Sequence, residues 1–114
     1  PLNGGGIENS AALIKKICSE NEIKGIYMNR YAQDTYAKIP KHFLADKKIV
    51  TNGISREIKK MIKSGVITAT VMEEIAAEGY ASARKIFDLL YKSTAVSETW
   101  ELSKSHIIFL ENLD

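Results

Sequence analysis

The chain has 114 residues, of which 45% are hydrophobic and 26% charged, with a formal net charge of +2. These values exclude global disorder and bound the chain to one domain of modest core or less. The lysines are spread along helical segments rather than run together, so there is no nucleic-acid footprint; no run of eighteen apolar residues offers a membrane span, and no secretory leader is visible.

In chain order, residues 1–8 read as a flexible linker. Gly4-Gly5-Gly6 lacks the Lys or Ser/Thr that a phosphate-binding loop places after its glycines. Asn9 or Ser10 is the expected cap of a first helix running to about Glu20, with Leu13, Ile14 and Ile17 on its apolar face. The lone Cys18 shares that face and has no histidine nearby in sequence, so it reads as a small buried hydrophobe in a reducing compartment. Gly25–Met28 is the first strand, and Asn29-Arg30-Tyr31 is the turn after it. A second helix starts near Tyr31 and is stopped or kinked by Pro40, which lacks the amide donor. Lys48–Thr51 is the second strand. Ser55 then caps a third helix with Ile58, Met61 and Ile62 facing inward, and Gly65 suits a left-handed cap. Val66–Met72 is the third strand. A fourth helix, about Ala76 to Lys92, carries Ala76, Tyr80, Ala83, Phe87 and Leu90 at helical spacing. A polar loop leads to a last β-rich segment, Ser105–Leu110, with Trp100 packing just before it.

Strands alternating with helices predict right-handed parallel crossovers, hence an α/β fold with a three-layer, parallel, doubly wound sheet. The apolar runs lack strict alternation, as expected of strands covered on both faces. Such folds hold ligands in the loops beyond the carboxyl ends of the strands. Here those loops are the turns at Asn29-Arg30-Tyr31, Asn52-Gly53 and Glu73-Glu74.

The order and wording of these turns resemble the C-terminal lobe of the type I periplasmic-binding-protein fold, especially in the LacI/GalR family of transcriptional regulators. The resemblance spans about Ser10 to Leu113. It is carried by Ile23-Lys24-Gly25-Ile26-Tyr27-Met28-Asn29, by Lys48-Ile49-Val50-Thr51-Asn52-Gly53, by the helix from Ile58 to Gly65 and the strand Ile67–Met72, and by Gly79-Tyr80 and the ending Ile107–Leu113. The family has two similar lobes with a sugar or other small effector between them, a helix-turn-helix headpiece that reads DNA, and a homodimeric state. The resemblance therefore implies that residues 9–114 are an effector-binding lobe, incomplete, with the first lobe and the headpiece outside this sequence. The family's effector-binding aspartate aligns with Gly53, or with Asn52 if the turn shifts by one, so its carboxylate is missing here; Glu73 stands where a Gln is common.

The candidate ligand-binding residues are Asn29, Arg30, Tyr31, Asn52, Gly53 and Glu73. By resemblance, Asn29 hydrogen-bonds a ligand hydroxyl with an amide that both donates and accepts; its local alternative is to cap the next helix. Arg30 and Tyr31 offer an anion fork and a stacking face. Asn52-Gly53 is equally an ordinary tight turn that tolerates positive φ. Glu73 and Glu74 cannot both face one substrate, because neighbours on a strand point oppositely; Glu73 can accept from a ligand hydroxyl. His42 and His106 lack partners at metal-ligand spacing, and no metal or cofactor is expected.

The leading expectation is a non-enzymatic, cytoplasmic, homodimeric regulator module that senses a sugar-like effector and acts on DNA only through the absent headpiece. Its alternative is the sugar-binding component of an ABC transporter or receptor. A small α/β enzyme is a third reading, opposed by the lack of a nucleophile–base pair.

Overall fold

The structure, a computed structural model, describes residues 6–94 and 102–113. Residues 1–5, the part of the expected polar loop at 95–101 with Trp100, and the last residue lie outside the described set. The elements are α1 (Ile7–Glu20), β1 (Gly25–Met28), α2 (Ala32–Ala37), β2 (Lys48–Asn52), α3 (Arg56–Lys63), β3 (Ala69–Glu73), α4 (Ile75–Lys92) and β4 (Ser105–Phe109). Short 3-10 turns occupy Lys41–Phe43 and Leu110–Asn112. The sheet order is β1-β2-β3-β4. The chain divides into two compact units, one of residues 1–72 with 107–114 and one of residues 73–106.

In the first unit the strands pair in parallel, with Ile26 opposite Ile49, Met28 opposite Thr51, and Thr51 opposite Thr70. Because side chains alternate along a strand, this register sends Ile26, Met28, Ile49, Thr51 and Thr70 to one face. Ile49, Thr51 and Thr70 are fully buried there, among Ala11, Ala32, Tyr36, Ile58 and Ile62 from α1, α2 and α3. The two buried threonines of the sheet are satisfied: Thr51 Oγ1 donates to Met28 O (2.7 Å), and Thr70 Oγ1 lies 2.6 Å from Gly53 O. The opposite face, with Tyr27, Val50 and Asn52, is exposed or half-buried, so burial along β2 alternates strictly. Within this unit the helical core closes one face, and Thr51 sits in it as a hydrogen-bonded member of the apolar side.

Three boundaries also differ from expectation. Neither Asn9 nor Ser10 caps α1. Gly6 occupies that position at φ 88°, a conformation glycine adopts without strain, so the helix starts inside the expected linker at Ile7. Ser10 Oγ instead donates to Gly6 O (2.9 Å) within the first turn. The third strand starts at Ala69, because the amides of Val66 and Ile67 both donate to Met61 O (2.9 and 3.2 Å) and complete the exit of α3. Gly65, at φ 75°, makes that exit possible, and Ile67 drops into the core. The last strand ends at Phe109, where the Asn112 side chain accepts from Phe109 N–H (2.8 Å) and donates to Ile107 O (3.0 Å), turning the chain.

In the second unit α4 has no buried residue, and Tyr80, Phe87 and Leu90 of its expected apolar face are exposed. Its last turns are held by Asp88, which receives Arg84 (3.2 Å) and Lys92 (2.8 Å), and by Phe87 stacked on Tyr91 at 4.9 Å. The hydrogen bond from Lys92 holds the Asp88 carboxyl below the usual carboxylate range.

Candidate functional site

The strands β1 and β2 end side by side, and the two turns that leave them enclose an open hollow of about 300 Å³. Tyr31 of the first turn and Gln33 and Asp34 at the start of α2 line one side, and Asn52, Gly53 and Ser55 the other; Ala32, Ile54 and Ile58 supply apolar lining.

Each wall is fixed by local chemistry. Gly53 has φ 82°, and its backbone is locked to β3: its N–H donates to Val71 O (2.7 Å) and its carbonyl accepts from Thr70 Oγ1 (2.6 Å). Glycine adopts this positive φ without strain, which suits the tight turn at Gly53. Ser55 caps α3 as expected, its Oγ accepting from Ile58 N–H (3.1 Å) while donating to Gln33 Oε1 (2.6 Å). That second bond ties the α2 turn to the α3 turn. Tyr31 holds φ 56°, ψ 21° at the N-cap of α2, and its carbonyl accepts from Thr35 N–H (2.9 Å). A bulky residue there is a backbone outlier of the kind that gathers at binding sites. It leaves Tyr31 63% exposed at the hollow. Across the strands, the Tyr27 hydroxyl donates to Asn52 Oδ1 at 3.0 Å.

Of the six sequence candidates, the hollow gathers Tyr31, Asn52 and Gly53. Asn29 and Arg30 stand exposed in the same turn as Tyr31, outside the lining residues, and Glu73 is exposed at the last residue of β3. In the second unit His106 Nε2 lies 2.6 Å from Glu74 Oε1, which gives that histidine a carboxylate partner the sequence spacing did not suggest. Sequence reasoning missed Gln33, Asp34 and Ser55 as lining of the hollow, and Tyr27 as the partner of Asn52. The lining mixes apolar and polar side chains, with a single carboxylate, Asp34, an aromatic face, and no lysine or arginine. It holds no nucleophile beside a base, and no group of three metal-ligating side chains exists among the described residues.

No family model and no curated protein matches the chain. Solved structures do. A glucose-galactose binding protein, GanP, from Geobacillus stearothermophilus superposes with a TM-score of 0.76 at 15% identity, over 95% of this chain and 39% of its own. A carbohydrate transporter solute-binding protein from Agrobacterium radiobacter, solved with D-arabinose, gives 0.76 at 15%, over 96% and 38%. A sugar ABC transporter sugar-binding protein from Bacillus halodurans gives 0.76 at 17%, over 98% and 43%. These likenesses show the fold: α/β with a three-layer, parallel, doubly wound sheet, as in the C-terminal lobe of the type I periplasmic-binding-protein-like fold. The chain spans about two fifths of the length of the structures it matches.

Proposed function

We propose that this chain is a non-enzymatic sugar-recognising lobe, the part of a solute-binding protein that offers a ligand the turns after β1 and β2. The observation that supports it is the hollow itself: an exposed tyrosine ring beside two amides, a hydroxyl and one carboxylate, at the carboxyl ends of parallel strands. A sugar is the ligand that uses all of these, with hydroxyls for the polar groups and a C–H face for the ring. The structural neighbours named for glucose, galactose, arabinose and sugar transport favour the transporter or receptor component over the regulator. The regulator reading, homodimeric, cytoplasmic and acting on DNA through a separate headpiece, is the second proposal. It draws on the resemblance of the turns, and Gly53 in place of the aspartate weakens it.

The test is thermal unfolding of the intact protein against a panel of pentoses and hexoses. A ligand at one hundred times its Kd adds about 2.7 kcal/mol to the folded state. A rise in Tm with one sugar and none with its epimers supports the reading; no rise with any sugar at millimolar concentration opposes it. Operator-like DNA captured by the intact protein, and released on adding the sugar, would move the assignment to the regulator.

A further inference from the structure

Both amide side chains that line the hollow have their carbonyl ends engaged inside the protein. Asn52 Oδ1 accepts from the Tyr27 hydroxyl at 3.0 Å, and Gln33 Oε1 accepts from the Ser55 hydroxyl at 2.6 Å. The Ser55 oxygen is in turn engaged by Ile58 N–H. An amide side chain has one accepting end and one donating end, held in a fixed plane. Anchoring the oxygen leaves the –NH2 as the end a ligand meets. The parallel register makes the Tyr27 anchor possible: Tyr27 lies opposite Val50, and Asn52, two residues further along β2, shares its face.

We propose that Tyr27 is a positioning residue that fixes the Asn52 amide, so that the hollow reads its sugar at that point with N–H donors and selects a ligand turning an acceptor oxygen toward Asn52. This rests on the sugar-binding reading above. Gln33, anchored by Ser55, repeats the polarity, and Asp34 is the one lining carboxylate to which a ligand hydroxyl donates. The amide side chains of the hollow therefore present donors, and Asp34 supplies its one carboxylate acceptor. A site built to hydrogen-bond one polarity rejects the other, because the mismatched group is left unpaired. Tyr27 is 63% exposed, so removing its hydroxyl disturbs little packing. Without that hydroxyl the Asn52 amide is free to turn either end to the ligand, and the selection is lost.

The experiment is calorimetric titration of the intact protein with D-glucose, D-galactose, D-xylose and D-arabinose, then with the monodeoxy and monodeoxyfluoro forms of the tightest binder. Fluorine accepts weakly and cannot donate, so it isolates the polarity of the contact. The expected result is one ring position at which the fluoro sugar binds about fivefold tighter than the deoxy sugar. In Tyr27→Phe that preference falls to within about twofold, with an unchanged unfolding curve. In Asn52→Asp, where the Tyr27 hydroxyl still has a carboxylate oxygen to donate to, the fluoro sugar binds no better than the deoxy sugar. A fluoro preference that survives in both variants, or is absent at every position of the wild-type protein, overturns the role of Tyr27 while leaving sugar binding intact. Failure of all four parent sugars to bind overturns the sugar-binding reading beneath it.

Discussion

Ser55→Ala is the perturbation whose effect follows most directly from the geometry. The hydroxyl has two jobs: it caps α3 by accepting from Ile58 N–H at 3.1 Å, and it donates to Gln33 Oε1 at 2.6 Å. Losing a serine cap costs about 1 kcal/mol. Losing a side-chain hydrogen bond of this kind costs roughly another 1 kcal/mol net. The expected loss is therefore about 2 kcal/mol, which lowers the Tm of a domain of this size by roughly 8 °C. Urea unfolding measures the loss, and a double-mutant cycle with Gln33→Ala separates its two parts. The Gln33 share should appear as a coupling of about 1 kcal/mol, whereas the capping share should persist in the Gln33→Ala background. A Ser55→Ala loss under about 0.5 kcal/mol, or strictly additive single and double variants, would refute the claim that this hydroxyl ties the two turns together.

Gly53→Ala should lose about 1–2 kcal/mol through backbone conformation alone, since φ is 82° and no atom lies within 4 Å of the added Cβ. An unchanged urea midpoint would contradict it. Tyr31→Gly should act in opposite directions on stability and binding, because glycine relieves the positive φ while removing the ring: stability holds or rises by up to about 1 kcal/mol, and sugar affinity falls. Loss of both together would sink the account of Tyr31 as a strained ligand contact. Tyr36 lies at 2% exposure, its hydroxyl has no partner among the described residues, and burial, with the Cys18 thiol second, pushes its pKa from 10.0 up to about 12. The folded state thus holds the phenol proton more tightly than the unfolded chain. The stability linked to it is complete below pH 10 and is lost as pH rises to about 12. Tyr36→Phe should flatten stability in that window and be neutral or stabilising at pH 7, where it removes an unpaired hydroxyl; an unaltered alkaline slope would speak against the assignment.

Sequence pattern located those elements whose local signals agreed with their burial. Gly25–Met28 emerged with its observed bounds, and Ser55 caps α3 because its short side chain suits the free amides of a first turn. The signal failed where a backbone event overrode side-chain preference. Gly6 bends the chain into α1 before Asn9 is reached, and Val66 and Ile67, strand-formers by type, are used to leave α3. Side-chain polarity also masks the burial pattern of β2 and β3: Thr51 and Thr70 blur the alternation in polarity, yet they bury as fully as Ile49. In the site, Tyr31, Asn52 and Gly53 were legible as turn residues after strands. Tyr27 was not, because its contribution is a cross-strand contact that exists only once the parallel register of β1 and β2 is known. Gln33 was hidden for the same reason, since its partner Ser55 lies 22 residues away. A search of strand residues sharing a face with Asn52 would have found the first; no sequence signal marks the second.

The most direct test of the central claim is to watch the amide resonances of the intact, isotope-labelled protein by nuclear magnetic resonance while the sugar giving the largest thermal shift is added. Saturable shifts gathered at Tyr31, Gln33, Asp34, Asn52, Gly53 and Ser55, with α1 unmoved, are the predicted result. Shifts gathered elsewhere in the chain, or none up to the solubility limit of the sugar, would contradict the placement of the site between the turns after β1 and β2.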